Sequence, residues 1–221
     1  MPFETFWPCF VLAASLSGPS GPQGEAGEAD LDSAETLGAL PVWQRGPGRG
    51  FEPWTLRAGF ALGGGPGFLT FGGREPHDLL FGNLQFGAVV TPPVGGDSPF
   101  RGNVELAAEA FGAYQVEPDP AGLGGLSGIF RYDFATGARW VPFADGGFGI
   151  AATNIRGVDL STTFQFAVQA GGGFYFFLSD RVALTAQYRW IHVSNADIEK
   201  PNNGVNTHLV LVGLSWFFGG R

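Results

Sequence analysis

A histidine and a serine two residues apart, His192 and Ser194, are the residues whose types and spacing fit a chemical reaction best. Residues i and i+2 of a β-strand project from the same face, so in a strand the imidazole and the hydroxyl would lie side by side. A histidine in contact with a serine can act as a base and turn the hydroxyl into a nucleophile. Polar pairs at the rim of a strand also occur without any catalytic role, and strand geometry alone favours that interpretation.

The element that must position this pair is the last hairpin of the chain, residues 181–218. In its first half, every second residue is apolar, and the opposite face carries Arg181, Thr185, Gln187 and Arg189. The apolar face carries Val182, Leu184, Ala186, Tyr188 and Trp190. His192 and Ser194 continue this face, so the pattern predicts that the pair lies on the apolar side of a strand.

Eight segments of the chain show the same alternation of apolar and polar residues. They are 54–62, 80–91, 103–115, 126–135, 139–152, 162–178, 181–195 and 206–218. Their polar faces carry Arg57, Asn83, Gln85, Glu105, Glu109, Arg131, Asp133, Arg139, Asp145, Gln165, Gln169 and Arg189. Charges on one face of nearly every strand do not fit an apolar sandwich, but they fit the lumen of a small membrane barrel. The sequence therefore predicts an all-β fold, an eight-stranded antiparallel transmembrane β-barrel of the bacterial outer membrane.

The connections between these segments favour the same architecture. The links at 63–79, 116–125, 153–161 and 196–205 are long, whereas those at Gly137–Ala138 and Ser179–Asp180 are short, as outer loops and periplasmic turns of such barrels are. The link at 92–102 is the one oversized turn on the short side. Trp54, Trp140 and Trp216 fall at the periplasmic ends of their strands, where an aromatic girdle belongs. A soluble lipocalin-like barrel with its apolar side inward is the competing fold, because alternation alone does not say which side faces in.

Composition and charge limit the other classes of function. Beyond the N-terminus no apolar run is long enough for a helical membrane span, which needs about 18 residues. The net charge is -8 and Lys200 is the single lysine, which argues against a nucleic-acid partner. Residues 1–17 resemble a secretory signal peptide, 18–53 form an acidic leader or linker rich in Pro, Gly and Ala, and 54–221 form the barrel. The only cysteine, Cys9, lies within the signal segment.

The residues around the His/Ser pair resemble the C-terminal signature of the lipid A 3-O-deacylase (PagL) family. The matching stretches are YRWIHVSNA at 188–196 and PNNGVN at 201–206. In that family a His-x-Ser-Asn-Ala segment closes the seventh strand, and a loop with Pro, Asn and Gly leads into the eighth. The resemblance implies a multi-pass outer-membrane esterase that removes the acyl chain at position 3 of lipid A, without metal or cofactor. Its partner would be lipid A or lipopolysaccharide in the outer leaflet, and a homodimer is one of the oligomeric states left open.

The resemblance also implies roles for individual residues. Ser194 would be the nucleophile and His192 the general base, with Asn195 helping to stabilise the oxyanion. The best-known members place an acid where this chain has Asn206, whose carbonyl oxygen can still accept the ring N–H of the histidine. Glu199 is the alternative, if its loop folds back. Asp197 stands where a glycine would suit a close backbone approach to the oxyanion.

A non-catalytic structural or adhesive barrel of the same fold is the alternative function. It would follow if nothing held His192 in place. A side-chain oxygen of Asn206 or Glu199 within hydrogen-bonding distance of the His192 ring would favour the esterase. His77 has no cluster of metal-binding neighbours in the sequence, so no metal site is predicted. Acyl-chain preference has no visible signature.

Overall fold

The structure, a computed structural model, describes residues 48–219 and contains one closed antiparallel β-barrel. Its strands are β1 (Leu56–Gly65), β2 (Asp78–Val89), β3 (Gly102–Glu117), β4 (Ala121–Phe134), β5 (Trp140–Thr153), β6 (Phe164–Phe177), β7 (Val182–Ser194) and β8 (Val205–Phe218). Each strand pairs with the next, and β1 pairs with β8 to close the barrel. The predicted eight-stranded fold is confirmed. The predicted signal peptide 1–17 and the leader up to residue 47 lie outside the described residues.

No helix within residues 48–219 has the length and apolarity needed to cross a membrane.

The apolar faces of the strands point away from the barrel axis. Leu84 and Leu126 are 67% and 62% exposed on this outer face, whereas Arg57, Arg131 and Arg189 are at most 2% exposed in the lumen. An outer surface of this kind suits a bilayer rather than water. The predicted orientation is therefore confirmed, and the lipocalin-like alternative with an apolar interior facing inward is wrong.

One end of the barrel carries most of the longer connections. At this loop end lie L1 (66–77), L2 (118–120), L3 (154–163) and L4 (195–204), and the turns 90–101, 135–139 and 178–181 lie at the opposite, turn end. The predicted long link at 116–125 was wrong, because β3 and β4 continue through it and leave three residues between them. Gly124 and Gly125 disfavour a strand locally, but the pairing of β4 with β3 and β5 overrides this preference, and both prolines stay in L2.

Arg139 does not enter the lumen as the alternation predicted. It lies in the turn before β5 and is exposed. Its guanidinium donates hydrogen bonds of 3.0 and 3.4 Å to the carbonyl oxygens of Phe177 and Leu178. The period-two pattern fails here because the backbone at this position belongs to a turn, where side-chain directions no longer alternate.

The lumen is filled by a polar layer between two apolar ones. In the polar layer each of three arginines meets a carboxylate: Arg57–Glu105 at 2.6 Å, Arg131–Asp145 at 2.5 Å and Arg189–Glu109 at 2.6 Å. The apolar layer at the loop end includes Leu79, Phe81, Phe111, Ile191, Val193, Leu209 and Leu211. The layer at the turn end contains Val141, Phe143, Tyr175, Phe177, Ala183 and Phe217. The sequence predicted the charged layer but not these apolar ends.

Part of the predicted leader packs into the turn end of the barrel. The ring of Phe51 stacks on that of Phe217 with 4.9 Å between centroids. Its backbone N–H donates to Asn103 Oδ1 at 2.8 Å, and the Asn103 amide donates back to the Phe51 carbonyl at 2.9 Å. Residues 48–53 therefore contribute to the stability of the barrel.

We expect the Arg57–Glu105 pair to be sensitive to the loss of one partner. Arg57 donates to Glu105 through Nε and Nη2, and both side chains are buried. Glu105→Ala should lower the free energy of unfolding by about 3–5 kcal/mol, since it leaves a buried charge without its carboxylate partner. Urea unfolding in detergent micelles, followed by tryptophan fluorescence, measures this change.

The matched control removes both charges. In Arg57→Leu/Glu105→Leu no uncompensated charge remains, so the double variant should lose much less stability than Glu105→Ala. An equal loss in both would show that packing volume, rather than the unpaired charge, sets the cost.

Candidate active site

His192 and Ser194 lie at the end of β7, next to L4 and on the outer face of the barrel. The distance between His192 Nε2 and Ser194 Oγ is 3.1 Å. Both side chains are half-buried, so the hydroxyl is reachable from outside. Strand alternation places them on one face, and this contact is the one that a general base and a nucleophile require.

The neighbouring strand supplies a third group. In the register of β7 and β8, Asn206 pairs directly with His192, and its Oδ1 lies 2.8 Å from His192 Nδ1. Asn206 is only 2% exposed although it faces outward, because L1 folds over it. Its Nδ2 donates to the backbone carbonyl of Thr70 in L1 at 3.1 Å. The site therefore draws on β7, β8 and L1.

The Thr70 carbonyl fixes which way the amide of Asn206 points. A carbonyl oxygen only accepts hydrogen bonds, so the NH₂ group must face Thr70 and the oxygen must face His192. Nδ1 of His192 must then carry the hydrogen, and the lone pair of Nε2 is directed at Ser194. This tautomer is the one in which the imidazole can take a proton from the serine.

Asn195 and Glu199, the two predicted supporting residues, are not brought to the His/Ser pair by their side chains. Asn195 is fully buried, and its Nδ2 donates to the Glu199 carbonyl at 2.9 Å and to Ser161 and Thr162 of L3. Within residues 48–219, Glu199 takes part in these contacts only through its backbone oxygen. Both residues therefore join L4 to L3.

The first turn of L4 has a left-handed backbone. Ala196 and Asp197 have φ values of 54° and 64°, a region that costs residues other than glycine about 1–3 kcal/mol. Hydrogen bonds from Lys200 Nζ (2.7 Å) and Asn202 Nδ2 (3.0 Å) stabilise the Asp197 carboxylate and lower its pKa, the bond from Lys200 being the larger cause. Asn202 in turn accepts the backbone N–H of Asn195 at 2.8 Å. The carboxylate thus holds the turn that follows the serine.

A cleft of about 470 Å³ opens beside the serine. It is lined by Phe71, Val168, Trp190, His192, Ser194, Ala196, Asp197, Asn202 and Asn203. The ring of Phe71 meets the His192 ring edge-on at 5.8 Å between centroids. One wall is apolar and continues the outer surface of the barrel, and the rim formed by L4 is polar. This arrangement suits an amphiphile with an acyl chain and a polar head.

Gly204 packs against the imidazole of His192, and this contact can be tested. Its φ is +82°, and an added Cβ would lie 2.7 Å from His192 Cε1. Gly204→Ala should lower the rate of a reaction in which His192 acts as the base by about 100-fold, because a displacement of the base by about 1 Å has effects of this size. The rate per folded protein checks this prediction. The folded fraction is measured by the gel mobility of unheated samples in SDS–PAGE.

Gly96→Ala is the matched control. Gly96 also has a left-handed backbone, with φ of +55°, but an added Cβ there would meet nothing within 4 Å. It lies in the turn at the opposite end of the barrel. The two substitutions share the backbone strain, so an equal loss of activity in both would contradict a specific contact between Gly204 and His192.

Three parts of the site were not found from the sequence: the Thr70 carbonyl, the Phe71 wall and the Gly204 contact. A backbone carbonyl leaves no sequence signature. Of the three, only Gly204 could have been noticed in the sequence, as a glycine directly before β8.

His208 contacts Tyr188 Oη through Nδ1 at 2.5 Å and stacks on Phe68 at 3.9 Å between centroids. In residues 48–219 no cluster of His, Cys, Asp or Glu has a geometry suited to a metal ion.

Comparison with known proteins assigns the chain to a family. The model of the family described as lipid A 3-O-deacylase (PagL) matches residues 93–215, more than half of the chain. Lipid A deacylase PagL of Pseudomonas aeruginosa PAO1 is 32% identical over 83 residues, which span 36% of this chain and 45% of that protein.

Two solved structures share the fold. The crystal structure of the outer membrane enzyme PagL has a TM-score of 0.52 at 21% identity, covering 71% of this chain and 97% of that one. Neisserial surface protein A (NspA) has the same TM-score at 14% identity, covering 75% and 97%. Identities this low show the fold alone, so the assignment depends on the family model. The chain belongs to the lipid A 3-O-deacylase (PagL) family.

Proposed function

We propose that this protein is an outer-membrane serine esterase that removes the acyl chain ester-linked at position 3 of lipid A. The observation that carries the proposal is the hydrogen-bonded series Asn206–His192–Ser194 on the outer face of the barrel. Family membership supports the substrate class. The three groups act as orienting residue, general base and nucleophile.

The reaction follows from this arrangement. Ser194 Oγ attacks the ester carbonyl carbon while His192 Nε2 takes its proton. The tetrahedral intermediate collapses, and the sugar oxygen at position 3 leaves with the proton from His192. A water molecule, deprotonated by the same nitrogen, then cleaves the acyl–serine ester and releases the 3-hydroxy fatty acid. Asn206 Oδ1 accepts the Nδ1–H bond throughout and favours the imidazolium that forms in each half of the reaction.

The developing oxyanion needs hydrogen-bond donors in the cleft. Ala196 and Asp197 line the cleft, and their backbone N–H groups form no hydrogen bond within the described part of the chain. We assign these groups the donor role, and a single such donor typically contributes about 3–4 kcal/mol to the transition state. Asn195 and Glu199 support the site indirectly, since their bonds hold L4 against L3.

The position of the serine favours a membrane lipid over a soluble ester. The outer face of the strands is apolar, which supports a location in the bacterial outer membrane with the loop end at the external surface. Ser194 closes β7 at that end, the level of the head groups and upper acyl chains in the outer leaflet. An ester attached directly to the sugar of a glycolipid lies at this depth.

The geometry favours the esterase over a non-catalytic barrel. A structural or adhesive role gives no reason for an amide oxygen 2.8 Å from His192 Nδ1 together with a serine 3.1 Å from Nε2. The fold does not decide the question, because the outer membrane enzyme PagL and Neisserial surface protein A match this barrel with the same TM-score of 0.52.

The test uses the refolded full-length protein and purified lipopolysaccharide in detergent. We expect release of a 3-hydroxy fatty acid, measured by gas chromatography, and a lipid A mass lower by one acyl group at position 3. Lipopolysaccharide from which that chain has already been removed is the control substrate and should yield no acid. Loss of a chain from another position, or no release at all, would contradict the proposal.

A further inference from the structure

Asp159 in L3 is a buried carboxylate that joins separate loops above the active site. It is only 2% exposed. Its Oδ1 accepts the backbone N–H of Arg74 at 2.8 Å, and its Oδ2 accepts that of Glu75 at 2.9 Å. The same Oδ2 lies 3.1 Å from Nε2 of His77, which is also buried. Three groups of L1 therefore converge on one side chain of L3.

The main chain of Asp159 holds L4 in the same way. Its carbonyl oxygen accepts the backbone N–H of Asn203 at 2.9 Å and that of Gly204 at 3.3 Å. Gly204 is the residue that packs against the His192 ring. One residue thus fixes L1 through its carboxylate and L4 through its backbone.

The fixed segment of L1 leads directly to the amide of Asn206. Gly73 N–H donates to the Thr70 carbonyl at 3.0 Å, and this carbonyl accepts Asn206 Nδ2. The bonds from Asp159 begin one residue later, at Arg74. The carboxylate therefore holds the turn that presents the Thr70 carbonyl to Asn206.

We propose that Asp159 is a positioning residue that sets the rotational state of the Asn206 amide and, through it, the tautomer of His192. This inference builds on the proposed esterase function. It explains how an amide can serve as the third group: rotated by 180°, Asn206 would present NH₂ to Nδ1 and favour hydrogen on Nε2, the tautomer that cannot accept the serine proton. A wrong tautomer in a serine protease costs about 10⁴-fold in rate.

The experiment is a double-variant cycle of Asp159→Asn with Asn206→Asp. Asp159→Asn keeps the shape but removes the charge and one acceptor, and in the native background kcat should fall about 10- to 100-fold with KM little changed. A carboxylate at 206 presents an oxygen in either rotational state. In the Asn206→Asp background the same change at 159 should therefore cost much less, a non-additivity that marks coupled sites.

A purely structural role of Asp159 would lower activity by the same factor in both backgrounds, and that result would overturn the proposal. Asp119→Asn is the matched control. It changes a carboxylate in L2 that forms no hydrogen bond within residues 48–219. The only hydrogen bond of Asp119 in these residues is the one that its backbone carbonyl accepts from Gln115. Its rate should equal that of the native protein.

A second readout does not depend on turnover. Nitrogen-15 spectra of the ring-labelled protein should show His192 with hydrogen on Nδ1, and Asp159→Asn should shift this signal towards the other tautomer. If the native protein releases no fatty acid but the tautomer shifts, the proposed function fails and the positioning role stands. If the native protein is active and Asp159→Asn changes neither rate nor tautomer, only the positioning role fails.

Discussion

Ser194→Ala will lower the release of the 3-hydroxy fatty acid by about 10⁴- to 10⁶-fold, to the level left by binding alone. The hydroxyl lies 3.1 Å from His192 Nε2 and at the edge of the cleft, so no other described group is placed to form the acyl intermediate in its stead. His192→Ala should cause a loss of the same order. Initial rates on lipopolysaccharide micelles measure both.

The double variant distinguishes a catalytic unit from two separate contributions. If Ser194 and His192 act in one proton transfer, removing both should cost no more than removing either. Ser98→Ala, in an exposed turn at the other end of the barrel, is the control for preparation and refolding. Retention of activity in Ser194→Ala would exclude the acyl-serine mechanism.

Asn206→Leu will lower kcat by about 10³- to 10⁴-fold and leave KM nearly unchanged. Leucine fills a similar volume but cannot accept the Nδ1–H bond that holds the productive tautomer, and loss of that control has an effect of this size in a serine protease. KM should hold because Asn206 lies beneath L1 and outside the lining of the cleft. Steady-state kinetics at several lipid concentrations separate the two constants.

Asn206→Asp is the informative comparison, because its carboxylate can accept the same ring hydrogen. It should retain far more activity than Asn206→Leu. His208→Leu is the positional control, since His208 lies on the same face of β8 but contacts Tyr188 rather than His192. A change of only a few-fold in Asn206→Leu would mean that His192 needs no third group.

The sequence predicted the architecture well because period-two alternation is a local property. Each strand of a two-sided sheet must place apolar residues on one face, so eight alternating segments gave the fold and the side on which His192 and Ser194 lie. The same rule failed at its edges. Within 116–125, only residues 118–120 with both prolines stay in a loop, and the incorporation of the others into β3 and β4 depends on pairing with neighbouring strands.

The apolar ends of the lumen show a second limit. Ile191 and Val193 are apolar but face inward, whereas their outward neighbours on β7 include the polar residues His192 and Ser194. Near the loop end of β7, the alternation of apolar and polar residues therefore no longer shows which face of the strand points into the lumen. The closure of the lumen above the ion pairs follows from packing across the barrel.

The sequence by itself determined the composition of the site: a base and a nucleophile at i and i+2 on one strand face, with Asn206 at the start of the next strand. Only the tertiary structure decided whether Asn206 can orient His192. That answer depends on the β7–β8 register and on the Thr70 carbonyl, 136 residues away along the chain. A backbone carbonyl is chemically the same in every residue, so its role arises from where L1 folds, and Asp159 holds it there.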